Sequence, residues 1–211
     1  MDRITALKKG LRILACAANI AVCTLFVQPI QAASVRSLGV MELARGSQLI
    51  FHGVAVERRV VQGDRKGQIF TRVTFQVHEV ISGPRLDSID LDFLGGTLNG
   101  VTLSVSDMTI PPVGEEGVYF VEQLDHRQAN PLYGWWQGHF IVRDSDGGRK
   151  IVTTHSLKPI YDLQPQAAAT SIQISEGVAA GVITEIAGTT PLTMSIERFK
   201  SSLRRLVEIA R

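Results

Sequence analysis

Residues 71–83, with the sequence TRVTFQVHEVISG, alternate between apolar and polar positions. Val73, Phe75 and Val77 share one parity, and polar residues occupy the positions between them. Successive side chains of a strand point to opposite faces of its sheet, so this alternation predicts a half-buried β-strand. The turn dipeptide Gly83-Pro84 marks its end.

Similar segments lie on both sides of this stretch, either alternating or forming short apolar runs. Turns rich in glycine, proline and aspartate separate them, at the short spacing typical of antiparallel sandwiches and barrels. The pattern therefore predicts an all-β, mainly antiparallel barrel or small sandwich. The predicted strands are 48–61, 71–83, 86–93, 101–108, 118–124, 133–142 and 149–154.

The first two predicted strands form a hairpin across the polar loop 62–68. We expect Val54 and Val56 to face inward together with Val73, Phe75 and Val77. Even-numbered residues of the first strand then lie opposite odd-numbered residues of the second, so the residue numbers of an opposed pair add to an odd number. This parity fixes the expected register of the hairpin.

Two segments show helical spacing. Residues 37–46 predict a short helix capped by Ser37. Residues 195–211 predict an amphipathic helix, which could dock on its own domain, on a partner or on an anionic membrane surface. Its apolar stripe consists of Ile196, Phe199, Leu203, Leu206 and Ala210. The segment 164–192 between the domain and this helix has sparse charges and no clear period, as expected of a linker or loosely packed extension.

The N-terminus has a basic head followed by an uncharged run that ends in small residues. This order predicts a cleaved signal peptide at 1–32 and a periplasmic or secreted protein; an uncleaved anchor is the alternative. The predicted organisation is therefore a signal peptide at 1–32, a β-domain at 33–163, an extension at 164–192 and a C-terminal helix at 193–211.

Charge and cysteine content exclude several function classes. The first 32 residues contain four basic residues and one acid, a net +3, and subtracting this from the chain's +2 leaves −1 for the remainder. A near-neutral body does not predict nucleic-acid binding. Both cysteines, Cys16 and Cys23, lie in the predicted signal peptide, so we expect no disulfide and no cysteine nucleophile in the mature chain.

The histidines are scattered singly along the predicted strands and loops, at His52, His78, His126, His139 and His155. By the parity of the hairpin, His52 and His78 point to opposite faces unless a bulge intervenes. We therefore predict no metal site and no cofactor. The usual nucleophile, zinc-protease and nucleotide-binding motifs are absent from the sequence, so no catalytic residue is assigned.

Two acidic positions and one aromatic group remain as candidate chemistry. Asp90 and Asp92 share one face of a strand, where they could bind Ca²⁺, act as an acid/base pair or simply face solvent. Tyr133, Trp135 and Trp136 gather in a glycine-flanked stretch. On a strand the two tryptophans point to opposite faces, so one could pack in the core while the other stacks on a sugar or anchors a peptide.

The order of elements across residues 47–155 resembles a known family. It carries Phe75, Val77, Val80 and Gly83 in one strand, Gly95-Gly96 after the next, and Gly114-Glu115 before the apolar run 118–121. This pattern resembles exported bacterial proteins with an OB-like barrel, related to netrin and tissue-inhibitor-of-metalloprotease modules. The resemblance implies a five-stranded barrel that binds across an open face and has no catalytic residues. The family's inhibitors use an N-terminal cysteine, and no cysteine follows the predicted signal here.

Together these observations predict an exported, non-enzymatic binding module that contacts a protein or envelope component through Tyr133, Trp135 and Trp136. The C-terminal helix is a second candidate contact, with membrane binding possible only there. Two alternatives stay open. The first is an unrecognised hydrolase or metal-dependent enzyme that uses Asp90 and Asp92 or assembled histidines. The second is a membrane-peripheral envelope protein that acts through the C-terminal helix.

Overall fold

The computed structural model describes residues 35–145, 147–166, 175, 177–186 and 192–210. These residues form two α-helices, one 3-10 helix and ten strands. In chain order the elements are α1 (Val40–Gly46), β1 (Leu49–Gln62), β2 (Ile69–Ser82), β3 (Ser88–Leu94), β4 (Gly96–Leu98), β5 (Val101–Leu103), β6 (Glu116–Val121), the 3-10 helix (Trp135–Gly138), β7 (His139–Asp144), β8 (Lys150–Thr154), β9 (Asp162–Leu163), β10 (Val182–Ile183) and α2 (Ile196–Ala210).

Six strands form one antiparallel sheet in the order β3-β2-β1-β6-β7-β8. The prediction of a mainly antiparallel β-fold is confirmed. The OB-like closed barrel is not observed in the described part of the chain, because β3 and β8 do not pair with each other and remain the two outer strands.

The sheet buries apolar side chains on both faces, which explains why β6 is nearly continuous in apolar residues rather than alternating. One face is covered by the two α-helices, and we call its buried cluster the helix-side core. The opposite face carries the loop-side core. The sheet residues of the helix-side core are Ile50, Val118, Phe120, Phe140, Val142 and Val152. The loop-side core contains Leu49, Phe51, Ala55, Val73, Phe75, Leu91, Phe93, Tyr119, Val121 and Leu132.

Helix α2 packs its predicted apolar stripe into the helix-side core of its own chain. The Phe199 ring is fully buried, and its centroid lies 5.0 Å from that of Phe140 on β7. The helix begins one residue after Ser195, whose carbonyl accepts a hydrogen bond from the Phe199 amide. The 3, 4, 3, 4 spacing of apolar residues therefore identified both the helix and its buried face.

The hairpin β1–β2 shifts its register at three places instead of keeping one register throughout. Residues 57–62 pair with 69–74 so that opposed numbers add to an odd number, as predicted, but residues 53–55 follow a different register after a shift at Ala55/Glu57. The expected inward position of Val56 is wrong: its side chain is 46% exposed, and Ala55 takes the place opposite Phe75 in the loop-side core.

Three further expectations need correction. The N-cap of α1 is Gly39 and not Ser37, and it makes no side-chain capping bond. The predicted strand 101–108 is limited to Val101–Leu103. The predicted strand 133–142 begins only at His139, because the preceding residues form the 3-10 helix.

Residues 177–186, the longest described part of the predicted extension 164–192, are built into the domain. Val182 pairs with Leu163, and the Ala180 amide donates a hydrogen bond to the Leu38 carbonyl. Ala179 and Val182 are buried in the helix-side core. The predicted signal peptide at 1–32 lies outside the described residues. None of the helices in the described ranges is long and apolar enough to cross a membrane.

Candidate functional site

The three predicted ligand-binding aromatics lie on one tight turn, residues 133–136, which we call the aromatic turn. Gly134 and Trp135 both have left-handed backbone conformations, with φ of 67° and 59°. The rings of Trp135 and Trp136 stand edge-to-face with centroids 6.0 Å apart, and both side chains are half-buried. Because both tryptophans lie in the 3-10 helix Trp135–Gly138 and not in a strand, they do not alternate across the sheet.

Gln137 anchors this turn to the start of the domain. Its buried side-chain oxygen accepts a hydrogen bond from the Leu38 amide at 2.8 Å. Its side-chain nitrogen donates to the carbonyls of Arg36 at 2.9 Å and Gly134 at 3.2 Å. Tyr133 packs its ring against Gly46 at the end of α1, where a side chain larger than hydrogen would clash. The turn is therefore held at both ends.

Trp136 packs against His155, a half-buried histidine close to the buried His139. Its ring centroid lies 6.3 Å from that of His155. Burial lowers the pKa of His155, and the nearby His139 adds to this effect. Within the described residues the Nε1 of Trp136 and the Nδ1 atoms of both histidines are buried without a hydrogen-bond partner. Trp136 is thus the inner tryptophan of the turn.

The carboxylates of Asp90 and Asp92 belong to an ion-pair network on the outer strand β3. The buried Asp92 accepts hydrogen bonds from Arg72 Nε at 2.6 Å, Arg72 Nη2 at 2.8 Å and Arg127 Nε at 2.6 Å. Burial alone would raise the pKa of Asp92, but these guanidinium bonds outweigh it and hold the pKa below its usual value. Asp90 accepts a hydrogen bond from Thr74 at 2.6 Å. Because the Asp92 carboxylate is bonded to two arginines and its pKa is lowered, it is poorly suited to accept a proton as a base.

The four apolar residues proposed as a partner-binding face of the C-terminal helix are buried inside the chain's own core, with exposures between 0% and 6%. They are Ile196, Phe199, Leu203 and Leu206. The basic face of α2 is also engaged within the chain: Lys200 bonds Glu79 at 2.8 Å, and Arg204 pairs with the same carboxylate. As folded, the helix does not present its apolar stripe to a partner, whereas Arg198 and Arg204 remain exposed on its outer face.

A site that the sequence did not predict lies between β1, β2 and β6, on the same sheet face as the helix-side core. Its residues are His52, His78 and Glu116, which we call the histidine cluster. His52 Nε2 lies 2.8 Å from Glu116 Oε1, and His78 Nδ1 lies 4.0 Å from the same oxygen. The two imidazole rings stand edge-to-face with centroids 5.1 Å apart.

A bulge brings the two histidines of the cluster together. His52 pairs with Glu79, but the next residue, Gly53, pairs with Val77, so His78 is an extra residue on β2. Gly53 permits this close approach, because a Cβ there would lie 2.5 Å from the Gln76 carbonyl oxygen. The predicted opposite orientation of His52 and His78 required a hairpin without a bulge, and β2 contains a bulge at His78. A glycine inside a strand was the one available signal.

Burial and charge set the protonation of the cluster. His52 is 7% exposed, and burial lowers its pKa more than the hydrogen bond with Glu116 raises it. Burial acts to raise the pKa of Glu116, but hydrogen bonds from Lys150 and His52 hold it below its usual value. The cluster therefore favours a neutral imidazole beside a carboxylate anion.

The neighbouring residue, Glu115, makes a similar contact on the opposite face of the sheet. His139 Nε2 lies 2.7 Å from Glu115 Oε1, and the Tyr119 hydroxyl donates to the same oxygen at 3.2 Å. Burial raises the pKa of Tyr119 well above its usual value, and the charge of Glu115 adds to this. The pair Glu115-Glu116 thus serves one buried histidine on each face.

Comparisons of the chain with protein-family models, with curated proteins and with solved structures return no match. Function is therefore inferred from the geometry of the chain itself.

Proposed function

We propose that this chain is an exported, non-enzymatic binding module that contacts a protein or another component of the cell envelope through its aromatic turn. The observation that carries the proposal is the left-handed backbone of Trp135, a half-buried residue with a φ of 59°. A bulky side chain in this conformation costs about 1–2 kcal/mol relative to glycine. Strain of this kind persists where the surrounding structure imposes it, and it concentrates at functional sites.

The turn itself does not need a tryptophan at position 135. Glycine or asparagine adopts the left-handed conformation at lower cost, and Gly134 already does so in the preceding position. The contacts of Gln137 with Arg36 and Leu38 also hold the turn without the Trp135 indole. A large, part-exposed aromatic ring on a strained and firmly anchored turn supports a role in contact with another molecule.

The chemistry of the turn fits a protein or glycan surface. An indole offers a flat apolar face and one N–H donor, which suits apolar side chains and the faces of sugar rings. Tryptophan is enriched among the residues that dominate binding energy at protein interfaces. The edge-to-face packing of Trp135 on Trp136 fixes the ring in advance, and this lowers the entropic cost of binding.

The N-terminal sequence supports export. Its basic head, uncharged run and small-residue end are typical of a secretory signal, and both cysteines fall within it. A chain without cysteines after the signal is suited to an oxidising compartment, since it offers no thiol for unwanted disulfides.

The contacts described above give less support to the alternatives. An acid/base role for Asp90 and Asp92 would require a free carboxylate, whereas Asp92 is bonded to two guanidinium groups. Membrane attachment through α2 would require its apolar stripe, whose Phe199 and Leu203 are fully buried. Binding through the aromatic turn requires neither a free carboxylate on β3 nor an exposed apolar stripe on α2.

Photo-crosslinking in the producing cells tests the proposal. A photoreactive phenylalanine analogue replaces Trp135 in one variant. In the control variant it replaces Val113, which is 58% exposed on a different loop. We expect irradiation to yield a discrete adduct with a protein or glycan at position 135 and none at position 113. The absence of any adduct at position 135, or identical adducts at both positions, would contradict the proposal.

A further inference from the structure

We propose that the histidine cluster binds one divalent transition-metal ion, with Zn²⁺ as the best match. This site shares no residue with the aromatic turn, so the metal-site proposal does not depend on the proposed binding function. It rests on the positions of His52, His78 and Glu116 and on the chemistry of their donor atoms.

The three ligand atoms already lie close to one another. One imidazole nitrogen from each histidine and one oxygen of Glu116 are all within 4.8 Å of each other. Two ligand atoms of a tetrahedral Zn²⁺, each about 2.0–2.1 Å from the ion, lie about 3.3 Å apart. Contraction by no more than about 1.5 Å, through rotation of the exposed His78 ring, would bring the set to that geometry.

The donor set selects the class of metal. Two imidazole nitrogens and one carboxylate oxygen suit Zn²⁺, Co²⁺, Ni²⁺ or Cu²⁺, whereas Ca²⁺ and Mg²⁺ prefer sites made entirely of oxygen. Three protein ligands leave the fourth position of Zn²⁺ for water or an incoming ligand. The His78 side chain is 39% exposed, which gives an ion an entry path from solvent.

The local backbone brings the two histidines of the cluster onto the same face of the sheet. Without the bulge, residues 52 and 78 would point to opposite faces of the sheet, and Gly53 is the residue whose lack of a side chain permits the bulge. The bulge at His78 removes hydrogen bonds from the β1–β2 ladder. It also places two histidines beside one carboxylate.

Lys150 defines which carboxylate oxygen is available. It pairs with Glu116 Oε2, whereas both histidines approach Oε1. A hydrogen bond to the non-ligating oxygen is a common way of orienting a metal-binding carboxylate. In the absence of a metal, hydrogen bonds join Glu116 to His52 and to Lys150. His78 contributes only a distant contact to that network.

This asymmetry makes His78→Ala the discriminating variant. A purely structural network would tolerate the change, because the exposed His78 lies 4.0 Å from the carboxylate. A metal site would lose one of three ligands. The matched control is His126→Ala, since His126 is another exposed histidine paired with a carboxylate, at 2.8 Å from Asp125.

The test is titration of the untagged, metal-stripped full chain with Zn²⁺ by calorimetry and with Co²⁺ by visible absorption. We expect one equivalent to bind with micromolar or tighter affinity and to give the ligand-field bands of a four-coordinate Co²⁺ site. His78→Ala should weaken binding by at least about 100-fold, more than the loss expected for an outer-shell partner. His126→Ala should bind as the unmodified chain does.

Two results would overturn the proposal. One is the absence of any site tighter than about 1 mM, the range of weak surface association. The other is equal affinity in His78→Ala and the unmodified chain, which would place the ion elsewhere. Circular dichroism of His78→Ala verifies that its fold is retained, so that lost affinity is attributable to the missing ligand.

Discussion

Replacing Phe199 by alanine tests whether the C-terminal helix is part of the domain or a surface for partners. Phe199 is fully buried, and its ring packs on Phe140 of β7. A buried phenylalanine removes about 150–200 Å² from water, which at about 25 cal/mol per Å² corresponds to about 4–5 kcal/mol as an upper bound. Measured Phe→Ala changes in cores cost about 3–5 kcal/mol. We therefore expect a loss of about 3–5 kcal/mol in the free energy of unfolding.

The assay is urea unfolding of the purified chain, followed by the fluorescence of the two tryptophans. The control on the same helix is Ile209→Ala, since Ile209 is 63% exposed and its truncation should change stability by no more than about 0.5 kcal/mol. If Phe199→Ala cost less than about 1 kcal/mol, the helix would not be docked as described. Its apolar stripe would then be available to a partner or a membrane.

Two other substitutions test the contacts that frame the candidate site. Gln137→Ala leaves the buried Leu38 amide and the Arg36 carbonyl without their partner, so it should cost about 2–4 kcal/mol and abolish hydrogen-exchange protection at Leu38. Unchanged protection would refute the anchoring role. Asp92→Asn should cost about 1.5–3 kcal/mol at neutral pH, because Arg72 loses its charged partner. The pKa of Asp92 is lowered by folding, so its contribution is present at neutral pH and is lost as the pH falls through the folded-state pKa. The stability difference between the unmodified chain and Asp92→Asn should therefore shrink below about pH 4, and a difference independent of pH would contradict this.

The parts of the fold that follow from local periodicity were predictable. Alternation identified β1 and β2 to within two residues at each end, and the 3, 4, 3, 4 spacing identified α2. Both patterns arise because one face of each element is buried, so the sequence records the burial directly. The pattern does not indicate how strands close, and the predicted barrel is an open sheet in the described residues.

The candidate sites depend on features that periodicity does not record. The bulge at His78 changes the register by one residue, and one residue is enough to reverse which face a side chain occupies. The anchor Gln137 reaches a backbone amide 99 residues earlier in the chain. The composition of the sequence identified the aromatic turn. Its 3-10 conformation was not predictable, because Trp135 has a left-handed backbone and tryptophan is not a residue type that indicates this conformation.

The most direct test of the central claim is the free energy of unfolding of Trp135→Asn. Truncation to asparagine loses the edge-to-face packing, worth about 0.5–1.5 kcal/mol, and returns about 100–150 Å² of the half-buried indole to water, worth about 2.5–4 kcal/mol. If the left-handed backbone of Trp135 is strained, relief of about 1–2 kcal/mol should offset part of this loss, and we predict a net loss of about 2–3 kcal/mol. A loss of about 4–5 kcal/mol, the full cost of truncating a core tryptophan with no offset from strain, would contradict the account and identify Trp135 as a packing residue.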